Sequence, residues 1–245
     1  MQEEDMESPN APAVRRALRI VGGVSLLLAP LSVAVGWALN YLSVGDFFTF
    51  DFSSPYTSSG KSSSAEQFVA TITGPDGGFR SLLLPHYFVY AAMPVFIAAA
   101  LYLASIVFRS SPWHAVIGSA LTTVGAVYFI GVLGAWLAFP ALADVPSDQI
   151  PNVLPMVRAL TTVQGVLMVS TTLSILVFVG LIVLACALFR ADVVPRWSVG
   201  SIIAGNVLIL VFAGTENWMV IGSLAMLVGL APLTVNVLRG TTVTT

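Results

Sequence analysis

Charged residues are scarce in this chain. Of its 245 residues, 9% are charged, against about 25% in an ordinary soluble domain. So few polar side chains cannot cover a water-facing surface, and 57% of the residues are hydrophobic. The apolar residues form long blocks, which are typical of membrane spans. The net charge of −2 gives no reason to expect a nucleic-acid partner.

The interiors of these blocks also lack Asp, Glu, Lys and Arg. Ion-coupled transporters and proton pumps usually keep such residues at membrane depth. The only lysine, Lys61, lies outside the blocks, which excludes a retinal Schiff base within a span. The only cysteine, Cys186, excludes an intramolecular disulfide and a cysteine metal site. The motifs of zinc proteases and nucleophile-elbow hydrolases are absent as well.

The apolar blocks predict an all-α integral membrane protein, a bundle of six transmembrane helices. The first block is too long for the apolar part of a signal peptide, so it is expected to be retained. The chain then divides into a disordered tail (1–14), a membrane domain (15–239) and a short C-terminal tail (240–245). The predicted spans are 17–42, 82–108, 113–139, 159–189, 197–213 and 217–238.

Basic residues set the expected orientation. Lys61, Arg80 and Arg158 fall on one side of the predicted spans, and seven arginines fall on the other. Because basic residues favour the cytoplasmic side, both termini are expected in the cytoplasm, with the protein in the cell membrane. The seven are Arg15, Arg16, Arg19, Arg109, Arg190, Arg196 and Arg239.

The outer connection 43–81 is long enough to hold structure of its own. Phe48, Phe50 and Phe52 alternate with polar residues, as in a strand, and GPDGG downstream is a turn signal. A small β-hairpin and an irregular segment with interfacial phenylalanines both fit this pattern. SSGKSS in this connection resembles part of a phosphate-binding loop, but Pro55 stands where that motif has glycine. No nucleotide is therefore expected.

Candidate chemistry is concentrated near the outer ends of the spans. His86, Arg158 and Glu216 are predicted at similar depth, where a His–Glu pair can bind a metal or act in acid–base chemistry. Plainer interpretations are preferred: Glu216 favours the dipole of the helix that it begins, and His86 starts a helix beside the interfacial Tyr87. No metal is therefore expected.

Deeper in the bilayer, Gln164 and Asn206 are the main polar candidates. They are interpreted as interhelical hydrogen-bonding groups, with contacts to an uncharged ligand as the alternative. The only histidines, His86 and His114, are predicted at opposite faces, roughly 33 Å apart along a helix. They cannot share a haem iron, and no cofactor is expected.

Small residues at four-residue spacing predict close helix packing within the membrane. They indicate how the bundle is held together and say nothing about an activity. The pairs are Ser25/Ala29, Gly131/Ala135, Gly200/Ala204, Ser201/Gly205 and Ala225/Gly229.

From the fourth span onward the sequence resembles a known family. Phe189-Arg190 ends a span, Val194-Pro195-Arg196-Trp197 forms a short turn, and Gly200 and Gly205 follow in the fifth span. This pattern resembles that of the prokaryotic six-span membrane proteins catalogued as a domain of unknown function. The resemblance implies a six-span membrane fold and supplies no catalytic or binding residues.

Three functions remain open, in order of preference. The first is a non-enzymatic structural, accessory or sensing role in the membrane. The second is a transporter or permease for an apolar or uncharged solute. The third is a membrane enzyme that acts on a lipid-like substrate through His86 and Glu216. The expected partner is the lipid bilayer, and a homo-oligomer or a membrane-protein partner is left open.

Overall fold

A computed structural model describes most of the membrane domain. The described residues are 11–44, 69, 73, 83–138, 141, 145–146, 148–161, 166–212 and 216–240. Helices and the turns between them account for this part of the chain, as the composition predicts. The helices are α1 (Ala11–Val44), α2 (Leu84–Val107), α3 (Pro112–Leu137), α4 (Ile150–Thr161), α5 (Val166–Ser174), α6 (Leu176–Ala191), α7 (Arg196–Val211) and α8 (Glu216–Arg239).

Five helical stretches within the described residues are long and apolar enough to cross a membrane. They confirm an all-α protein of the membrane-spanning type. The helix α7 is apolar but shorter, and its 16 residues extend about 24 Å, against a hydrocarbon core of about 30 Å. The five stretches are Ala13–Asn40, Leu84–Val107, Pro112–Ala135, Met168–Ala191 and Asn217–Arg239.

The predicted fourth span, 159–189, is divided in the structure. Its first residues belong to α4, and its apolar part consists of α5 and α6, with a break at Ile175. The hydroxyl of Ser174 donates to the Thr171 carbonyl at 2.7 Å. Such local side-chain bonds compete with the helix ladder, so a break directly after Ser174 has a physical cause.

The predicted β-hairpin in 43–81 lies almost wholly outside the described residues. Two positions are exceptions, and they are helical in character. Val69 is assigned to a helix, and the backbone N–H of Thr73 donates to its carbonyl at 2.9 Å. This i to i+4 bond is a helical turn, not a strand.

The long helices pack in a closed ring. In order around it, α1 contacts α2, α2 contacts α3, α3 contacts α6, α6 contacts α7, α7 contacts α8, and α8 returns to α1. A further contact joins α2 to α6 across the ring, while α5 lies against α3. The enclosed core is apolar, with Leu26, Phe96, Leu184 and Ile209 almost fully buried.

Large apolar side chains also cover the outside of the ring. Leu18, Leu101, Trp113 and Val228 are each more than half exposed. A helix that is apolar on both its inner and outer faces matches a lipid surrounding.

The start of α1 and the end of α8 lie at the same end of the bundle. A Cβ added to Gly23 would lie 2.9 Å from the Leu238 side chain, and one added to Gly240 would lie 2.6 Å from Nη1 of Arg19. Gly240 has φ 73°, a left-handed conformation that glycine adopts without strain and that ends α8.

The tight connection between α6 and α7 is formed by Asp192 and the turn Val194-Pro195-Arg196-Trp197. Asp192 ends α6 with φ 51°, and Pro195 precedes the first residue of α7 with an extended ψ of 144°. Proline fixes φ in the range that begins a helix but cannot continue the previous one. Trp197 is 57% exposed at this end of the bundle, as interfacial tryptophans are.

Candidate functional site

Of the predicted outer set, His86 is the residue whose side chain is described. Glu216 is the first residue of α8 and Arg158 lies in α4, but their side chains are outside the description. Gln164 lies outside the described residues altogether. A His86–Glu216 site therefore stays a prediction.

His86 is held at the start of α2 by contacts with α1. Its ring packs edge-on against Trp37, with centroids 6.1 Å apart and planes at 69°. The backbones of α1 and α2 are also close here, since a Cβ added to Gly36 would lie 2.7 Å from the Pro85 carbonyl oxygen. The contact is a favourable aromatic geometry, so it gives this half-buried ring a packing role.

The second histidine, His114, lies in the first turn of α3, after the whole length of α2. Its Nδ1 is 3.5 Å from the hydroxyl of Ser111, a long and weak contact. Among the described residues, no group of three His, Cys, Asp or Glu side chains is placed to hold a metal ion.

Asn206, in the middle of α7, is fully buried. Its Nδ2 donates to the carbonyl of Ile202 in the same helix at 2.8 Å. Its Oδ1 is buried and accepts no hydrogen bond from any residue that the structure describes. A buried acceptor without a donor costs about 1–3 kcal/mol. Among the described residues, Asn206 therefore makes its hydrogen bond within α7. The interhelical bond expected for this residue is not among the described contacts.

Hydrogen bonds between α7 and α8 come from two serines instead. The hydroxyl of Ser201 donates to the Ala225 carbonyl at 2.7 Å, and that of the fully buried Ser198 donates to the Gly229 carbonyl. Both acceptors are backbone groups of the neighbouring helix, which a side chain reaches only where the two helices lie very close together. The interface is thus held by short side chains that bond directly to the opposite backbone.

Glycines allow this approach. A Cβ added to Gly222 would lie 2.6 Å from the Gly205 carbonyl oxygen, and one added to Gly229 would lie 2.7 Å from the Ser198 carbonyl oxygen. Ser198 and Gly205 are seven residues apart on α7, as are Gly222 and Gly229 on α8. A seven-residue repeat keeps one seam facing the partner helix along its length.

The four-residue pairs predict part of this seam. Ser201, Gly205, Ala225 and Gly229 all lie in it, whereas Gly200 has nothing within 4 Å of an added Cβ and faces outward. The four-residue spacing does not predict Ser198 and Gly222, because these two residues belong to the seven-residue repeat.

Polar groups follow the central glycine contact on both helices. Asn206 follows Gly205 and Ser223 follows Gly222, and both are fully buried. Because the two helices are antiparallel, the residues after the contact turn toward the same side of the interface. The Ser223 hydroxyl donates to the Met219 carbonyl at 2.7 Å, which leaves its oxygen able to accept.

A second glycine contact fixes α6 against α3. A Cβ added to Gly180 would lie 2.5 Å from the Gly118 carbonyl oxygen, and one added to Gly125 would lie 2.7 Å from the carbonyl carbon of Leu176. The hydroxyl of the buried Thr122 donates within α3, to the Gly118 carbonyl at 2.9 Å. This helix pair is therefore also packed at backbone distance.

Comparisons with known proteins give no relatives. No family model, no curated protein and no solved structure matches the chain.

Proposed function

We propose that this chain is a six-span protein of a prokaryotic plasma membrane, with both termini in the cytoplasm and a non-enzymatic structural, accessory or sensing role. The sixth span in this proposal is α7, which is apolar and lies in the ring between two membrane-length stretches, Met168–Ala191, which ends with α6, and Asn217–Arg239 in α8. The arginine-rich end of the bundle faces the cytoplasm, in keeping with the distribution of basic residues. The resemblance to the six-span family of unknown function is part of the same proposal.

The observation that carries the non-enzymatic role is the seam between α7 and α8. Its glycines and the Ser198 and Ser201 hydroxyls are engaged in contacts between backbones. A helix pair packed in this way serves as a rigid frame, and these two hydroxyls are already used in holding it together.

Topology is tested by cysteine labelling. Cys186 is the only cysteine, so a Cys186→Ser chain is a cysteine-free background. Single cysteines at Ser58 and Ser110 are then exposed to a membrane-impermeant maleimide on intact cells. We expect labelling at Ser58 and protection at Ser110 until the cells are opened. The reverse pattern would overturn the orientation.

The non-enzymatic role is tested against the enzyme alternative by lipid analysis. Lipid extracts are compared from cells that lack the gene and from cells that carry the wild-type chain, His86→Ala or Glu216→Gln. We expect the same lipid species in all four. A species that requires the wild-type chain and disappears with either variant would instead support an enzyme acting through His86 and Glu216.

A transporter for an uncharged solute is the second candidate, and Asn206 favours it. A buried carbonyl oxygen without a donor among the described residues is suited to a ligand that carries a hydroxyl or amide N–H. The test is a thermal-stability screen of the purified protein with alcohols, polyols and amides. A solute whose stabilising effect is lost in Asn206→Ala, but kept in Asn236→Ala on the exposed side of α8, would show binding at Asn206, and uptake of that solute into vesicles that contain the protein would then show transport.

A further inference from the structure

Basic side chains gather where α1 begins and α8 ends. Arg15 and Arg16 are exposed in the first turns of α1, and Arg19 follows one turn later. Arg15 and Arg19 share a helix face, and like charges four residues apart repel each other. Arg239, the last residue of α8, is also exposed at this end.

Arg19 lies on the side of α1 that faces the end of α8, and it is partly buried. Its guanidinium lies against Gly240, where an added Cβ would be 2.6 Å from Nη1. Its Nε is buried and donates to no residue that the structure describes. On the α2 side, the ring of Tyr102 packs against Gly22, one turn further along α1. A cation partly withdrawn from water in this way favours a bound anion.

A fifth arginine lies at the same level, two residues after the end of α2. Arg109 follows Tyr102 by seven residues and Arg15 precedes Gly22 by seven, so the contact between Gly22 and Tyr102 places both at the same height. The structure describes two acidic side chains, Asp148 and Asp192. Neither belongs to α1, α2 or α8.

We propose that this arginine cluster (Arg15, Arg16, Arg19 and Arg239) binds the phosphate of an anionic phospholipid. The cluster lies at the end of the apolar stretches, where lipid headgroups begin. The planar guanidinium group matches a phosphate with two parallel hydrogen bonds. Basic clusters beside a span attract anionic lipid by a factor of about five for each charge. The site requires a bilayer but neither the proposed orientation nor the proposed role.

The turn between α6 and α7 provides a matched control at the same end of the bundle. There Arg196 lies over the ring of Phe189, 5.8 Å from its centroid, and Asp192 supplies an opposite charge in the same turn. Arg196 therefore has an aromatic ring as a local partner, and its removal changes net charge as much as removal of Arg19 does.

Native mass spectrometry of the full-length protein in neutral detergent tests the proposal. The protein is titrated with dioleoyl phosphatidylglycerol or dioleoyl phosphatidylcholine, and the dissociation constant of the first bound lipid is measured. We expect tighter binding of phosphatidylglycerol, a loss of about fivefold in Arg19→Gln, and little change in Arg196→Gln. Arg19→Lys keeps the charge but not the planar fork, so an intermediate loss is expected.

Several results would overturn the site. The first is equal affinity for the two lipids, and the second is an equal loss in Arg196→Gln. The third is displacement of the lipid by 10 mM inorganic phosphate, about a hundredfold above a lipid dissociation constant near 0.1 mM. Such displacement would make free phosphate the ligand. Circular dichroism checks that Arg19→Gln is folded. If it is not, the pair Arg15→Gln/Arg16→Gln decides, because both of these side chains are exposed.

Discussion

Gly222 is the position where a single methyl group should do the most damage to the bundle. A Cβ there would lie 2.6 Å from the Gly205 carbonyl oxygen and 2.7 Å from Cγ1 of Ile209. Ordinary contacts begin near 3.4 Å, so Gly222→Ala must push α7 and α8 apart by several tenths of an ångström. The obstacle on the α7 side is backbone, which cannot move aside as a flexible side chain can.

The expected cost follows from two effects and one compensation. Overpacking of this kind costs about 1–3 kcal/mol. Separation of the helices also weakens the hydrogen bonds from Ser198 and Ser201, each about 0.6 kcal/mol in a membrane protein. Alanine recovers up to about 1 kcal/mol through its higher helix propensity. We therefore expect Gly222→Ala to lower the free energy of unfolding by roughly 2 kcal/mol.

Gly200→Ala is the matched control, because it makes the same chemical change on α7 where an added Cβ meets nothing within 4 Å. It should be neutral or slightly stabilising. Both variants are unfolded by titration with sodium dodecyl sulfate in mixed micelles, followed by tryptophan fluorescence. Equal unfolding midpoints for the two variants would refute the backbone contact at Gly222.

A double-mutant cycle sharpens this test. Ser198→Ala alone should cost about 0.6 kcal/mol, since it removes one interhelical bond. In the Gly222→Ala background it should cost less, because a separation of several tenths of an ångström weakens this bond. Additive costs would mean that the Ser198 bond survives the added methyl group.

Three further predictions concern single positions away from this seam. Asn206→Val should raise the free energy of unfolding by about 1 kcal/mol, since it removes a buried acceptor that has no donor. A loss of stability in the same micelle titration would show that this oxygen is partnered in the folded protein. Asp192→Gly should raise the midpoint of thermal unfolding, because the left-handed φ of 51° strains a residue with a Cβ by about 1 kcal/mol. Asp192→Val should lower the same midpoint. His86→Ala should lower the free energy of unfolding by about 1 kcal/mol through loss of the ring contact with Trp37. His86→Phe keeps a ring and should retain most of that stability. Equal losses in the two variants would assign the effect to the polar nitrogens of the imidazole.

The candidate site was predictable only in part. A helix start at His86 and a helical position for Asn206 follow from the pattern of apolar blocks, and the structure puts both residues in described helices. The ring contact with Trp37 was not predictable, because Trp37 and His86 are separated by the whole connection between α1 and α2. The partnerless Oδ1 of Asn206 was equally hidden, since sequence gives the amide but not the groups around it.

The sequence by itself determined that this is a helical membrane protein. Long uncharged blocks leave the helix as the way to satisfy the backbone in lipid, and the charges and prolines between them mark where helices end. The arginines further predicted which helix ends lie together, and the contact of Arg19 with Gly240 agrees with that pairing.

Only the tertiary structure decided which face of each helix meets a neighbour. Gly200 and Gly205 are both glycines of α7, yet one faces open space and the other lies against the backbone of α8. In water, an apolar stripe would distinguish the two faces. In lipid, both faces are apolar because the surrounding chains are as apolar as the protein core. The inner face is then set by where backbones can approach closely, and that depends on pairs of residues brought together from different helices.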